Sequence, residues 1–283
     1  WRADPDGLSA MTVTYNVVQP EMLGAIEPTV FAGTLTEPDP AGPGTRMRCD
    51  PLPEQLAWLA RRTAAWAKLR TTPNASKRLA IFLHHGPCTS VEGTVATAAG
   101  LDAAESCVRL LRRLAADGYA VADIPADGAA LVKLFLDRRA ISEFRWTNTG
   151  MIVDRGGALA LIDETAYRRR FDALDPALRQ QVDAAWGVFP AEAMVHRDAA
   201  GTPRLVVAGL RFGKVMVLID PKRGCSGAKC DGEVCRILHQ PDIPPPHHWL
   251  ATFWWCQEHV DALVSLGTEW PMEYLPGKRC GPG

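Results

Sequence analysis

Apolar and polar positions recur at helix or strand spacing through most of the chain and predict an ordered series of elements. A β-branched and aromatic run at residues 12–18 favours a strand, and residues 28–32 favour a second short one. Residues 37–53 are rich in Pro and Gly, which predicts a surface connection. From Glu54 to Arg70, apolar residues recur at helical spacing between arginines, so this segment predicts an amphipathic helix.

The next segment has the pattern of a β-α-β unit. The apolar run from Arg78 to His84 suits a strand that is buried on both faces. A loop, a helix over residues 101–117 and a strand over residues 119–124 are expected to follow. This order predicts parallel strands, and ligands bind such sheets at the carboxyl ends of the strands. We therefore expect a ligand loop at residues 84–100.

Helical and strand patterns continue to the end of the chain. The elements expected here are helices over 128–138 and 165–186, adjacent strands over 204–208 and 215–219, a helix from His247 to about His259 and a strand over 261–266. The fold class expected is α/β, with parallel β-sheet layers flanked by helices as in Rossmann-like units. The parts expected are an entry segment at 1–76, a β-α-β unit with following helices at 77–200 and an α/β segment at 201–283.

Composition narrows the possible functions. With 283 residues, 47% of them hydrophobic and 22% charged, the chain has an ordinary globular composition. A formal net charge of -1 argues against a nucleic-acid partner. No run approaches the roughly 20 apolar residues of a membrane span, and no signal peptide opens the sequence, so we expect a cytoplasmic protein. The loop-like ends, without an initial Met, predict a fragment of a larger multidomain subunit.

Three ordered motifs in the last quarter of the chain carry a family resemblance. They are Gly209-Leu210-Arg211-Phe212-Gly213-Lys214-Val215, Pro244-Pro245-Pro246-His247-His248 and Glu273-Tyr274-Leu275-Pro276-Gly277-Lys278. Their order and approximate spacing resemble the large subunits of ATP-dependent cobaltochelatase and magnesium chelatase, and the cobaltochelatase branch more closely. The upstream segments at residues 24–28, 77–84 and 99–106 are similar to that family as well.

The resemblance implies a metal chelatase, a ligase that forms nitrogen–metal bonds. Its substrates would be a divalent ion, Co²⁺ or Mg²⁺, and a corrin or porphyrin, and we expect Co²⁺ and a place in cobalamin biosynthesis. In that family AAA+ ATPase subunits bind and hydrolyse the ATP. This sequence agrees, because it contains no G-x-x-x-x-G-K-[ST] loop. We expect an isolated fragment to be inactive.

The motifs suggest roles for single residues. The family pattern implies that Glu273, ahead of the Pro-Gly-Lys turn, is a base or metal relay. His247 and His248 are expected as ligands or proton acceptors, with helix capping or packing as the alternative. Arg211 is expected to hold a polar side chain of the ring, or else to form a structural salt bridge. Lys278 belongs to the same group of substrate contacts.

One departure from the family pattern lies just before that turn. Relatives generally have a histidine where this chain has Glu269, and small residues where it has Trp270 and Pro271. A carboxylate can still bind a metal or a proton, and the Trp270 ring can stack on a flat macrocycle. The change indicates either a subgroup with another substrate or a loss of turnover.

A second departure is a Gly-rich insertion with three cysteines at C-x4-C-x4-C spacing. Cys225, Cys230 and Cys235, with Cys88 as a fourth ligand, predict a [4Fe-4S] cluster or Zn²⁺, or else remain thiols. A loaded site would support an alternative function, an iron-sulfur or zinc module that delivers or senses metal without chelatase turnover.

Overall fold

A computed structural model of the chain describes residues 9–25, 28–85, 92–142, 148–191, 193–222 and 243–267. The chain divides into two compact units, one up to Thr71 and one from Thr72 onward. Within the described ranges, no helix combines the length and the apolar character that a bilayer crossing requires.

The first unit contains short helices, a β-hairpin and one long helix. Its elements are α1 (Ala10–Val13), a π-helical stretch (Thr14–Val18), α2 (Gln19–Met22), β1 (Ala32–Pro38), β2 (Thr45–Pro51) and α3 (Pro53–Thr71). β1 and β2 pair antiparallel, and Glu37 of β1 forms ion pairs with Arg46 and Arg48 of β2 at 2.7 and 2.9 Å. The helix expected from Glu54 to Arg70 is confirmed, but none of its residues is buried, so its amphipathic character stays a prediction.

Two strand predictions in this unit are wrong. Residues 12–18 are helical, and the side chain of Ser9 caps their first turn by accepting a hydrogen bond from the Thr12 N–H. Strand preference mostly measures packing on a half-buried sheet, and no residue of these short helices is buried. The strand expected at residues 28–32 begins instead at Ala32. The connection expected at residues 37–53 contains β2, whose pairing with β1 outweighs the local turn composition.

The second unit contains nine strands and six α-helices within its described residues. The strands are β3 (Leu79–Leu83), β4 (Thr97–Ala98), β5 (Leu101–Asp102), β6 (Ala158–Ile162), β7 (Val195–Arg197), β8 (Pro203–Ala208), β9 (Leu210–Phe212), β10 (Val215–Ile219) and β11 (Ala262–Leu266). The helices are α4 (Ala103–Ala116), α5 (Gly128–Arg138), α6 (Thr149–Asp154), α7 (Glu164–Phe171), α8 (Pro176–Trp186) and α9 (His247–His259). Two 3-10 turns, Asn74–Ser76 and Glu92–Thr94, flank β3.

A four-stranded sheet with the order β11-β3-β10-β9 forms the centre of this unit. β3 pairs in parallel with β10 on one side and with β11 on the other, whereas β9 and β10 form an antiparallel hairpin. A second sheet, β6-β8-β7, is antiparallel. The α/β class and the parallel strands expected from the sequence are thereby confirmed.

Both faces of the central sheet are buried. Leu79, Ile81 and Leu83 of β3 pack with α4 and α5, and the intervening Ala80 and Phe82 pack in a separate cluster with Trp255 of α9. This explains why β3 is a continuous apolar run rather than an alternating one.

The return strand expected at residues 119–124 is wrong. These residues, all within the described ranges, form no strand, because both edges of β3 are already paired with β10 and β11. Asp123 has a left-handed backbone at φ 55°, which interrupts an extended segment. The segment instead accepts one hydrogen bond at Ala120, from the N–H of Lys214 in the β9–β10 turn.

Two further expectations need correction. The runs at residues 204–208 and 215–219 do not pair with each other, because β8 belongs to the antiparallel sheet and β10 to the central one. The helix expected over residues 165–186 is two helices, since Pro176 begins α8 and the Asp175 side chain caps it. The helices at residues 101–117, 128–138 and 247–259 and the strand at residues 261–266 are confirmed.

Candidate functional site

Three parallel strands end together at one edge of the central sheet. In their register Leu83 of β3 lies beside both Ile219 of β10 and Leu266 of β11. The residues that follow them, His84, Asp220 and Gly267, therefore emerge at the same edge. In an open α/β sheet this edge is where ligands bind.

Asp220 is the buried acid of this edge, with 4% of its surface exposed. Its Oδ2 lies 3.4 Å from Nδ1 of His84, whose side chain is 35% exposed. Its Oδ1 has no hydrogen-bond partner among the described residues. Burial raises the pKa of Asp220, and the contact with His84 opposes that shift.

Two more histidines hold the chain that leaves β10. Nε2 of His85 lies 3.1 Å from the Asp220 carbonyl, and Nε2 of His248 lies 3.0 Å from the Lys222 carbonyl. A carbonyl oxygen only accepts, so both Nε2 atoms carry the hydrogen. Burial lowers the pKa of His248 to about 4, which keeps its ring neutral near pH 7. A neutral imidazole can bind a metal or accept a proton.

His247 lies in a different environment, although it precedes His248 directly. Its Nε2 donates to the Gly187 carbonyl at 2.8 Å, and its Nδ1 lies 2.6 Å from the Tyr167 hydroxyl. The ring packs against Phe171 and Phe189. Burial lowers the pKa of His247. His247 would have to give up one of these bonds to bind an ion, and its partners differ from the Lys222 carbonyl to which His248 donates.

Arg211 is also separated from the carboxyl edge. It is exposed on β9 and lies opposite Met216 of β10, and its guanidinium contacts the Met216 sulfur at 3.7 Å. Asp220 lies four residues beyond Met216 along the chain, which corresponds to about 13 Å at the rise of about 3.3 Å per residue in a strand. The structure therefore does not bring Arg211 together with His84 and Asp220.

The other predicted site residues lie outside the described residues. They are Glu269, Trp270, Glu273 and Lys278 near the end of the chain and the cysteines Cys88, Cys225, Cys230 and Cys235. Their roles, including a [4Fe-4S] cluster or Zn²⁺ at the cysteines, stay predictions. Three other cysteines lie within the described residues and form no disulfide. Cys107 and Cys256 are buried, and Cys49 is exposed.

Sequence reasoning placed ligands in the loop that follows β3 but did not select His84, His85 or Asp220. The signal was present, because each is a polar residue within two positions of the end of a continuous apolar strand. What was missing was the pairing of β3 with β10, which puts residues 135 or more positions apart side by side. The described residues contain no group of three or more His, Cys, Asp or Glu side chains placed to hold an ion.

A depression at the N-termini of α4 and α5 has a volume of about 530 Å³. Its acidic side chains already serve the backbone. Asp102 and Asp127 cap the two helices, and Glu105 accepts a hydrogen bond from the Gly128 N–H at 2.9 Å. The three carboxylates at this depression therefore already accept hydrogen bonds from the backbone, and we do not assign a ligand site to it.

Comparison with known proteins gives one consistent family. The family model described as CobN/Magnesium Chelatase matches residues 1–282. An aerobic cobaltochelatase subunit CobN from Pseudomonas aeruginosa is 32% identical over 287 residues, which is 99% of this chain and 21% of that protein. A magnesium-chelatase subunit from Rhodobacter capsulatus is 28% identical, over 99% of this chain and 22% of its own length.

A solved structure shows the same fold. The catalytic subunit of cobaltochelatase from Mycobacterium tuberculosis superposes with a TM-score of 0.76 at 29% identity, over 100% of this chain and 22% of that one. The chain thus spans about a fifth of the length of the relatives it matches.

Proposed function

Because the chain belongs to the CobN/magnesium chelatase family, we propose that it forms part of a site where a divalent metal ion enters a tetrapyrrole ring. The reaction class is that of a ligase making nitrogen–metal bonds. The family match over residues 1–282 is the observation that carries this proposal.

The carboxyl edge of the central sheet supports a site for this chemistry. Metal insertion needs groups that take the pyrrole N–H protons and ligands that hold the ion without trapping it. The edge supplies a buried carboxylate and several imidazoles. Most of the other predicted site residues belong to three segments outside the described ranges. Each of these segments comes shortly after a strand of this edge, since the last residues described before them are His85, Lys222 and Gly267.

Individual roles follow the sequence motifs and are part of the proposal. Glu273 acts as a base or metal relay, with Glu269 in place of the usual histidine as a second carboxylate. His248 faces the chain beyond β10 and serves as a proton acceptor or ligand, with His247 behind it as a positioning group. Trp270 and Lys278 contact the ring, and Arg211, further along the sheet, contacts a polar side chain at the periphery of the ring.

The substrates proposed are Co²⁺ and a corrin-type ring. The similarity to the Pseudomonas cobaltochelatase subunit, 32% against 28% for the Rhodobacter magnesium-chelatase subunit, favours cobalt over magnesium. The sequence contains no phosphate-binding G-x-x-x-x-G-K-[ST] loop, so we assign ATP hydrolysis to AAA+ partner subunits.

Ring binding by the full chain tests the proposal. A metal-free corrinoid or porphyrin is titrated with the chain, and its main absorption band is followed. We expect a saturable shift of that band. The affinity for the ring should fall at least about tenfold in Trp270→Ala, which lacks the indole ring. Trp66→Ala, on α3 of the first unit, is the control. A band that stays unchanged at saturating chain concentration would rule out ring binding.

Glu273→Gln separates the proposed base from ring binding. This variant keeps the size of the side chain and removes its charge. Placed in a full-length chelatase subunit and assayed with ATPase partners and Co²⁺, it should bind the ring as the wild type does but insert cobalt at least about 100-fold more slowly. Equal insertion rates would show that Glu273 is not the base.

A further inference from the structure

The distance between His84 and Asp220 is longer than that of a strong hydrogen bond to a carboxylate. A bond between a charged donor and a carboxylate measures about 2.7–2.9 Å, whereas Nδ1 of His84 and Oδ2 of Asp220 are 3.4 Å apart. Two donor atoms that share one ion at about 2.1 Å each lie about 3.0–3.4 Å apart for angles between octahedral and tetrahedral. The spacing therefore fits two adjacent corners of a metal coordination sphere.

The burial of Asp220 points in the same direction. A buried carboxylate oxygen without a partner is costly, and Oδ1 of Asp220 has none among the described residues. The rest of this carboxylate is held in place, because the Asp220 N–H donates to the Leu83 carbonyl at 2.9 Å and its own carbonyl accepts from His85 at 3.1 Å. A divalent ion beside the carboxylate would offset the cost of burying it.

We propose that His84 and Asp220 form a holding site for the divalent substrate ion, which is bound by Nδ1 of His84 and the carboxylate of Asp220 before it enters the ring. This inference rests on the proposed function, since it names where the ion of that reaction is held. Water fills the other coordination positions. The site is open to solvent through His84, whose side chain is 35% exposed.

A site with two protein ligands suits an ion that must be passed on. Structural zinc sites surround the ion with four protein ligands and hold it permanently. Here, the described residues provide two, which agrees with the finding that they contain no group of three or more metal-binding side chains. An ion held this way keeps open positions that ring nitrogens can occupy before His84 and Asp220 release it.

The donor types select the class of metal. One imidazole and one carboxylate favour Co²⁺ or Zn²⁺ over Mg²⁺, which prefers oxygen ligands and gives up its water reluctantly. The holding site therefore discriminates between the two metals that the family uses, in favour of cobalt.

The test is a titration of the full chain with Co²⁺ alone, followed by calorimetry and by the visible absorption of bound cobalt. The variants are His84→Gln and Asp220→Asn, which change little in size. His259→Gln and Asp117→Asn serve as matched controls, because these side chains lie on other parts of the second unit. Cys230→Ser is included, because thiolates also bind Co²⁺ and give an intense near-ultraviolet band of their own.

We expect one Co²⁺ ion without that thiolate band in the wild type. Loss of a group that only hydrogen-bonds to a metal ligand already lowers metal affinity about 10–100-fold. Loss of a ligand itself in His84→Gln or Asp220→Asn should therefore weaken Co²⁺ binding at least about tenfold. The controls and Cys230→Ser should retain it, and a hundredfold excess of Mg²⁺ should not displace it. Circular dichroism verifies that each variant is folded, and either one of the two variants suffices if the other unfolds.

The opposite result is equally clear. If folded His84→Gln or Asp220→Asn binds Co²⁺ as the wild type does, or if the ion disappears only in Cys230→Ser, His84 and Asp220 form an ordinary polar contact and the proposal is wrong.

Ring binding is measured separately without metal. Co²⁺ binding at His84 and Asp220 with no ring binding would retain the metal site and reject the chelatase function, and ring binding with no effect of these variants would do the reverse.

Discussion

Tyr167 and His247 are joined by a 2.6 Å contact between the phenol oxygen and Nδ1 inside a cluster of aromatic rings. Because Nε2 of His247 donates to the Gly187 carbonyl, Nδ1 of the neutral ring accepts and the phenol donates. Burial lowers the pKa of His247 and raises that of Tyr167, so both groups stay neutral near pH 7. The contact links α7 to the first turn of α9.

Tyr167→Phe tests this contact. The variant keeps the ring packing but leaves Nδ1 of His247 buried without its donor, which costs about 1–3 kcal/mol of unfolding free energy. The urea midpoint should fall with an unchanged slope. Tyr15→Phe is the control, because Tyr15 is 60% exposed and its loss of a hydroxyl should change the free energy by less than about 0.5 kcal/mol. Equal midpoints for Tyr167→Phe and the wild type would contradict the argument.

The neutral His248 predicts a loss of stability in acid. Its pKa is about 4 in the folded chain and about 6.5 when unfolded, so the unfolded state binds the proton first as the pH falls. The stabilisation is complete above pH 6.5 and is lost between pH 6.5 and pH 4, by up to about 3 kcal/mol. Unfolding free energies from urea titrations at pH 7.5, 6, 5 and 4 measure it.

The His248→Asn variant isolates this effect, because an amide can still donate to the Lys222 carbonyl but does not titrate. The lowered pKa of His247 acts in the same direction as His248, and the raised pKa of Asp220 acts in the opposite one, but both remain in the variant. Plots of the unfolding free energy against pH should therefore differ in slope between wild type and variant from pH 6.5 to pH 4. Parallel curves would show that His248 does not titrate in that window.

Gly213 has two reasons to be glycine, and Gly201 has only one. Both have a left-handed backbone, at φ 66° and 79°. A Cβ on Gly213 would lie 2.4 Å from the Ala120 carbonyl oxygen, whereas one on Gly201 would meet nothing within 4 Å. Gly201→Ala should cost about 1 kcal/mol for its backbone alone. Gly213→Ala should cost clearly more in thermal or urea unfolding, and equal losses would mean that the Ala120 segment can move away.

Asp261 joins β11 to β3 through its side chain and its backbone. Its carboxylate accepts from the Arg78 N–H at 2.9 Å, and its own N–H donates to the Arg78 carbonyl at 2.8 Å. Asp261→Ala should cost about 1–3 kcal/mol, and Asp261→Asn less, because the amide oxygen still accepts. Asp137→Ala removes only an exposed ion pair with Lys133 and should cost about 0–1 kcal/mol. An unchanged free energy of unfolding in Asp261→Ala would show that the backbone pairing alone fixes this end of β11.

Segments with one strong pattern were predicted well. The Leu79–Leu83 strand is apolar at every position and the α4 helix has one apolar face, so burial and local preference agree. Residues 12–18 and 119–124 carry strand-like residue types as well, but they gain no sheet partner. Their composition could not reveal this, because a strand requires a neighbour that sequence spacing does not identify.

The sequence alone determined the α/β class, most of the helices, the buried central strand and the resemblance to the chelatase large subunits. Only the tertiary structure decided which strands are neighbours, and with them that His84 meets Asp220 while Arg211 lies well along the sheet from both. It also separated His247 from His248, which are adjacent in sequence but turn to different surroundings on α9. Local patterns follow from the chemistry of nearby residues, whereas contacts over 130 positions arise when whole layers bury their apolar faces together.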